Sequence, residues 1–152
     1  MTGYFYNPNI HPEEEYELRL SEAKELAHTC DIEFLCGEYD VDAWFRLTRG
    51  MEREREGGRR CETCFRMRLE RAAQCAHEHG FDIFTTTLTV SPHKNAEQIN
   101  RIGTDAAAKH GIDFLQSNFK KKDGFKKTVD ASKRLGLYRQ NYCGCIFSQK
   151  AK

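Results

Sequence analysis

The sequence predicts a single α/β domain in layers, with helices flanking a mainly parallel sheet. Three observations carry this. Short strand-like runs alternate with helical segments of about ten residues or more, the pattern of βαβ units. A chain of 152 residues has the length of one domain and can bury a real core. No repeat, low-complexity stretch or linker divides residues 1–152, and only the cysteine-containing tail 138–148 stands apart.

Each element has its own local cause. The aromatic run "GYFYNPN" opens as a strand and breaks at Asn7-Pro8-Asn9. Pro12 suits the first helical position, and Glu13, Glu14 and Glu15 then favour the positive end of the helix dipole. Tyr16, Leu20, Ala23, Ala27 and Cys30 recur every three or four residues and give that helix one apolar face. "IEFL" reads as a short strand. Asp40 or Asp42 would cap a short helix carrying Trp44, Phe45 and Leu47, ended by Gly50. A helix from Cys61 to His79 carries Phe65, Leu69, Ala72, Ala73 and Ala76 on one side, with Gly80 after it. "FDIFTTTLTV", Phe81 to Val90, reads as the strongest strand, being rich in β-branched and aromatic residues. Ser91-Pro92 reads as a helix cap followed by proline at the first helical position, with the helix running to His110-Gly111. "IDFL" is another strand, "KKKDGFKK" a basic turn, and Lys126 to Leu135 a last helix before Gly136. The chain enters its first strand almost at once, and the first helix already has an apolar face, so the sheet beneath it is expected to extend further.

Composition excludes several function classes. Charged residues make up 31%, yet the formal net charge is only +1, which fits neither a disordered tail nor a strongly basic nucleic-acid binder. No apolar run approaches the roughly eighteen residues of a membrane span, and no secretory leader opens the sequence. A cytoplasmic location is the expectation. Stable structural disulfides are rare there, so seven cysteines point to metal or redox chemistry. An odd count leaves at least one thiol outside any set of pairs.

Four of the seven form close pairs. Cys61-x-x-Cys64 lies at a helix N-terminus, where partial positive charge favours thiolate and two sulfurs can reach one metal or cluster. Gly57-Gly58 just before it lets backbone approach a ligand closely. Cys143-Gly144-Cys145 can form a strained disulfide of the labile, catalytic kind. The plainer alternatives are inert thiols or a structural four-cysteine zinc site, which spacing alone supports well. Cys30 and Cys75 read as small core residues, and the role of Cys36 is open. His28, His77, His79 and His110 read as helix-end residues, and His11 as a cap. His93 falls at a strand-to-helix turn, where α/β sheets bind ligands, although a solvated histidine is the plainer reading. The basic stretches "KKKDGFKK" and "SKRLGLYRQNY" interleave Phe125, Tyr138 and Tyr142, a mixture that can stack bases beside phosphate-binding charges. The plainer reading is a solvated lysine-rich turn.

The blocks "FYNPNIHPEEEYELRL", "GGRRCETCFRMRLE", "FTTTLTVSPHKNAEQIN" and "LGLYRQNYCGCIFS" closely resemble the cobalamin-independent epoxyqueuosine reductases, the QueH type. The resemblance runs from about Tyr4 to Ser148. It implies a nucleotide alpha-hydrolase-like α/β fold and reduction of epoxyqueuosine to queuosine at the wobble position of tRNA, with an unknown electron donor. It implies that Cys61 and Cys64 ligate a [4Fe-4S] cluster and that Cys143 and Cys145 are a redox-active pair, and it leaves a second iron open. His93, Arg139 and Tyr142 become candidates for the rim that receives the base. The alternative function is a structural-zinc RNA-binding domain without redox activity. Family members begin with an additional strand ending in a Cys-Cys pair, which supplies the other cluster ligands. No Cys-Cys occurs in residues 1–152. The expectation is therefore either a piece of a longer reductase or a form without the cluster. A version extended upstream by that segment would be active, and residues 1–152 largely inactive.

Overall fold

The computed structural model describes residues 1–149. It has the expected α/β class: five helices and four short strands, every strand pair parallel. The strands form two separate two-stranded ribbons rather than one sheet. Contacts divide the chain into two compact units, residues 1–53 with the tail from Leu135, and residues 54–134.

The first unit runs β1 (Thr2–Phe5), α1 (Glu13–Thr29), β2 (Glu33–Cys36) and α2 (Val41–Thr48), then the tail with a turn of 3-10 helix at Ile146–Ser148. β1 and β2 pair in register from Thr2 opposite Glu33 to Phe5 opposite Cys36. Tyr16 and Leu20 bury on α1 as their spacing predicts, and join Ile10, Phe5, Phe34 and Tyr39 in a small core. The Tyr16 and Tyr39 rings stack with centroids 3.7 Å apart. Asp40 caps α2, its carboxylate accepting the Ala43 N–H at 3.2 Å. Cys30 departs from expectation. It lies just past the last turn of α1, where its N–H still bonds the Leu26 carbonyl, and its side chain is exposed rather than in the core.

The second unit runs α3 (Arg59–Glu78), β3 (Ile83–Phe84), α4 (Ala96–His110), β4 (Asp113–Phe114) and α5 (Gly124–Arg134). α3 and α4 pack face to face through Phe65, Leu69, Ala73, Ile99, Ile102 and Ala106. Where α4 meets β4, Gly103 is required. A Cβ there would lie 2.3 Å from the Phe114 ring. Gly111 ends α4 in the left-handed conformation at φ 69°.

Two sequence expectations fail in this unit for the same physical reason. Only Ile83–Phe84 of "FDIFTTTLTV" is strand, and Leu88–Val90 is a turn of 3-10 helix. The threonines divert the backbone. Thr85 Oγ1 donates to the Leu115 carbonyl at 2.8 Å, and Thr86 Oγ1 accepts the Leu88 N–H at 3.2 Å. Hydroxyls thus replace ladder partners. Ser91 likewise closes a turn by accepting the His93 N–H at 3.3 Å. The helix begins later, capped by Asn95, whose Oδ1 accepts the Gln98 N–H at 3.1 Å.

Candidate functional site

In the first unit the tail is tied down by α1 and by the loop before it. Arg19 stands on α1 one turn beyond Glu15, and its Nε–H donates to that carboxylate at 2.7 Å. This fixes the guanidinium plane. The rest of the fork is turned to the tail: Nη1 donates to the Cys143 carbonyl at 3.0 Å and Nη2 to the Tyr142 carbonyl at 3.1 Å. The guanidinium carbon also lies 5.1 Å from the centre of the Tyr142 ring. Glu15 further accepts the Tyr138 hydroxyl at 3.0 Å, and Glu22 accepts the Tyr138 N–H at 3.1 Å.

His11 provides the second anchor. Its backbone N–H donates to the Gly144 carbonyl at 2.8 Å. Its Nδ1 meets the Ile146 N–H at 3.3 Å, and its Nε2 meets the Pro8 carbonyl at 3.0 Å. An amide N–H can only donate and a carbonyl can only accept, so the ring is neutral with its proton on Nε2. Burial pushes the His11 pKa below its ordinary value, with the Pro8 bond acting against it. The ring rests against Phe45 and Trp44, with centroids 4.8 and 4.9 Å away. The Tyr142 hydroxyl donates to the His11 carbonyl. His11 is therefore not the helix cap its position suggested: α1 is preceded by Pro12, with no side-chain cap. Two buried atoms nearby in sequence or packing, Asn9 Oδ1 and Trp44 Nε1, have no hydrogen-bond partner among the described residues. The fold alone does not satisfy them.

Between these anchors lies Cys143-Gly144-Cys145. Gly144 has φ +121°, a region L side chains rarely enter, and a Cβ there would lie 2.9 Å from Ile10 Cγ1. The bend therefore requires glycine. Cys143 is half-buried and Cys145 buried, and both are thiols. The Cys145 carbonyl accepts the Ser148 hydroxyl at 2.7 Å, which holds the exit from the bend.

The second unit carries the other couple. Cys61 and Cys64 stand three apart at the start of α3, on one face of the helix. Cys61 is half-buried against the core and Cys64 is buried. The Gly57 N–H donates to Cys61 Sγ at 3.2 Å. The loop before α3 is braced by Glu54, whose carboxylate takes Arg59 Nε–H at 2.9 Å and whose carbonyl takes Arg60 Nη1–H at 2.6 Å. Arg60 is almost wholly buried.

Other candidates are scattered. His93 is exposed in the turn before α4, in the second unit. Arg139 is exposed and Tyr142 half-buried, both in the first unit. Cys75 is buried as expected, and His79 Nδ1 donates to its carbonyl at 2.8 Å, the helix-end role foreseen for it. Cys36 ends β2, exposed, with its Sγ 3.4 Å from the Gly37 carbonyl. Sequence reasoning missed Arg19 altogether. Its one signal was an ordinary i,i+4 spacing from Glu15, which usually marks a solvated pair.

A [4Fe-4S] cluster takes four thiolates. Among the described residues no three His, Cys, Asp or Glu side chains gather as a metal-binding group. Cys61 and Cys64 alone would supply only two of those four. The same observation gives the four-cysteine zinc alternative no support. No helix among the described residues is long and apolar enough to cross a membrane.

Fold and site together define an α/β protein with two thiol couples, one on a helix face and one in an anchored glycine bend. A family model described as "Epoxyqueuosine reductase QueH" matches residues 1–151. Proteins of that name from Acinetobacter baylyi and Haemophilus influenzae are each 45% identical to it, over 95% and 97% of this chain and 67% and 60% of their own length. One from Thermotoga maritima is 41% identical over 95% of this chain and 77% of its own. The chain belongs to the epoxyqueuosine reductase QueH family, and it spans about two thirds of the length of these relatives.

Proposed function

We propose that the protein takes part in the reduction of epoxyqueuosine to queuosine in tRNA, with Cys143 and Cys145 as its two-electron couple. Converting the epoxide to the alkene consumes two electrons and two protons and releases water. Oxidising two thiols to one disulfide supplies two electrons and two protons. The dithiol and the epoxide therefore balance without another reagent, and an external electron donor must then reduce the disulfide for the next turnover. The observation that supports this most is the anchored bend itself. Arg19 and His11 hold the peptide groups on both sides of Gly144, so the two sulfurs are presented by fixed backbone.

Cys61 and Cys64 are, in this reading, the two thiolates the chain contributes to a [4Fe-4S] cluster, and the remaining ligands come from outside residues 1–149. A second iron stays open. His93, Arg139 and Tyr142 remain the candidates for receiving the base, and the work is cytoplasmic, on tRNA. The test is queuosine formation from tRNA bearing epoxyqueuosine, by reduced protein reconstituted with iron and sulfide under anaerobic conditions. Cys143→Ser and Cys145→Ser should each abolish it. Queuosine formed as well by the Cys143→Ser or Cys145→Ser variant as by the unsubstituted protein would remove the reading.

A further inference from the structure

We infer that residues 118–134 form the surface that grips the phosphate backbone of the RNA. This rests on the proposed tRNA substrate and adds to it where the RNA is held. Charge is unevenly spread along the chain. Of the chain's 24 basic and 23 acidic residues, seven basic and two acidic fall in 118–134, which leaves 17 and 21 for the rest. A chain close to neutral thus carries one concentrated positive segment on an otherwise acidic body. Long-range attraction of a polyanion depends on such local fields more than on net charge.

The cations of this segment are also unspent. Elsewhere Arg19, Arg59, Arg66, Arg101 and Lys109 each lie within ion-pair distance of a carboxylate. Among the described residues none of Lys121, Lys122, Lys126, Lys127, Lys133 or Arg134 does, and all six are exposed. Helix geometry then aligns four of them. Lys126 and Lys133, and Lys127 and Arg134, are seven apart on α5, so they form two adjacent pairs on one face, with Asp130 between them. No residue of α5 is buried.

Two aromatics flank the charge. Phe119 and Phe125 are 41% and 42% exposed, so each side chain is partly open to a partner. Their place is fixed by the turn between them. Lys122 and Asp123 both have positive φ, and any Cβ at Gly124 would collide with the Phe119 carbonyl at 1.6 Å. The turn is tied to the body of the unit. Thr89 Oγ1 accepts the Phe119 N–H at 3.2 Å, and Asn100 brackets Ser117 through bonds of 2.9 and 3.1 Å. Cations without acidic partners, on a rigid mount, beside exposed rings, match a single-stranded or looped RNA. Phosphates meet the lysines, and unstacked bases meet the rings.

The experiment measures binding of unmodified tRNA transcript to the whole protein by fluorescence anisotropy across a series of KCl concentrations. The variant replaces Lys126, Lys127, Lys133 and Arg134 with Gln. All four are exposed, so it should melt like the parent. We expect its affinity to fall at least tenfold near ~0.1 M salt, and the slope of log K against log salt to flatten by about 2 or more. A control carrying Arg101→Gln and Lys109→Gln, cations already paired, should leave the slope within about half a unit. An unchanged slope in the fourfold variant overturns the inference. So does loss of binding to phosphatidylserine vesicles with no loss of tRNA binding, which would make the partner a membrane surface. The reductase reading fails separately: Cys143→Ser should leave tRNA binding intact, and queuosine formation does not enter this measurement.

Discussion

Arg19 donates two hydrogen bonds across 123 and 124 positions of chain, to the carbonyls of Tyr142 and Cys143. Its third bond, to Glu15 on the same helix, sets the plane of the fork. One helical side chain therefore holds the backbone that leads into the bend. Replacing Arg19 with Met removes both tail bonds and should cost about 2–3 kcal/mol of tail stability. Hydrogen exchange of the amides from Tyr142 to Ile146 should accelerate markedly while α4 amides stay protected. Arg19→Lys should fall between, because an ammonium cannot span two carbonyls and a carboxylate in one plane.

His11 gives the fold a pH dependence with a definite sign. Its folded pKa lies below the ordinary value near 6.5, with burial the main cause. The unfolded chain therefore takes up the proton first, and stability is lost as pH falls below about 6.5 toward the lowered value. Above that range the contribution is fully present. Protonation also ends the acceptor role of Nδ1 toward Ile146 N–H. Thermal melts from pH 7.5 to 5 should show a falling Tm that His11→Phe makes flatter.

Gly144→Ala should destabilise by about 1–3 kcal/mol, since it combines a positive φ with a 2.9 Å approach to Ile10. Urea unfolding followed by Trp44 fluorescence measures this. Trp44 packs against both His11 and Phe147, so its signal reports the anchored region.

Gly103→Ala is the corresponding test in the second unit. The Phe114 ring of β4 lies 2.3 Å from the new Cβ. Overpacking should cost about 1–3 kcal/mol. Far-UV circular dichroism during thermal melting gives the answer, and retention of the parent Tm would contradict the packing described.

Helix faces were readable because their signals are local and repeated. Tyr16 and Leu20 on α1, and Phe65 and Leu69 on α3, are buried where a 3.6-residue period places them. Asp40 and Gly111 end or begin helices through bonds made within a few residues. The failures were of two kinds. Thr85, Thr86 and Ser91 raised strand or cap expectations by residue type, yet their hydroxyls bond the backbone in turns. Arg19 and His11 act on residues more than 120 positions away, which no window reveals. The thiol couples were legible from spacing and resemblance, while the side chains that fix the tail couple were not.

The two thiols at the Gly144 bend are proposed as the working redox couple. The most direct measurement follows its thiols through one turnover. Reduced protein is mixed anaerobically with tRNA bearing epoxyqueuosine, with no other reductant. It is then quenched with an alkylating agent, and peptide mass and nucleoside content are read together. However little queuosine forms, one Cys143–Cys145 disulfide should accompany each molecule of it. Queuosine produced while both cysteines remain alkylated thiols would contradict the account.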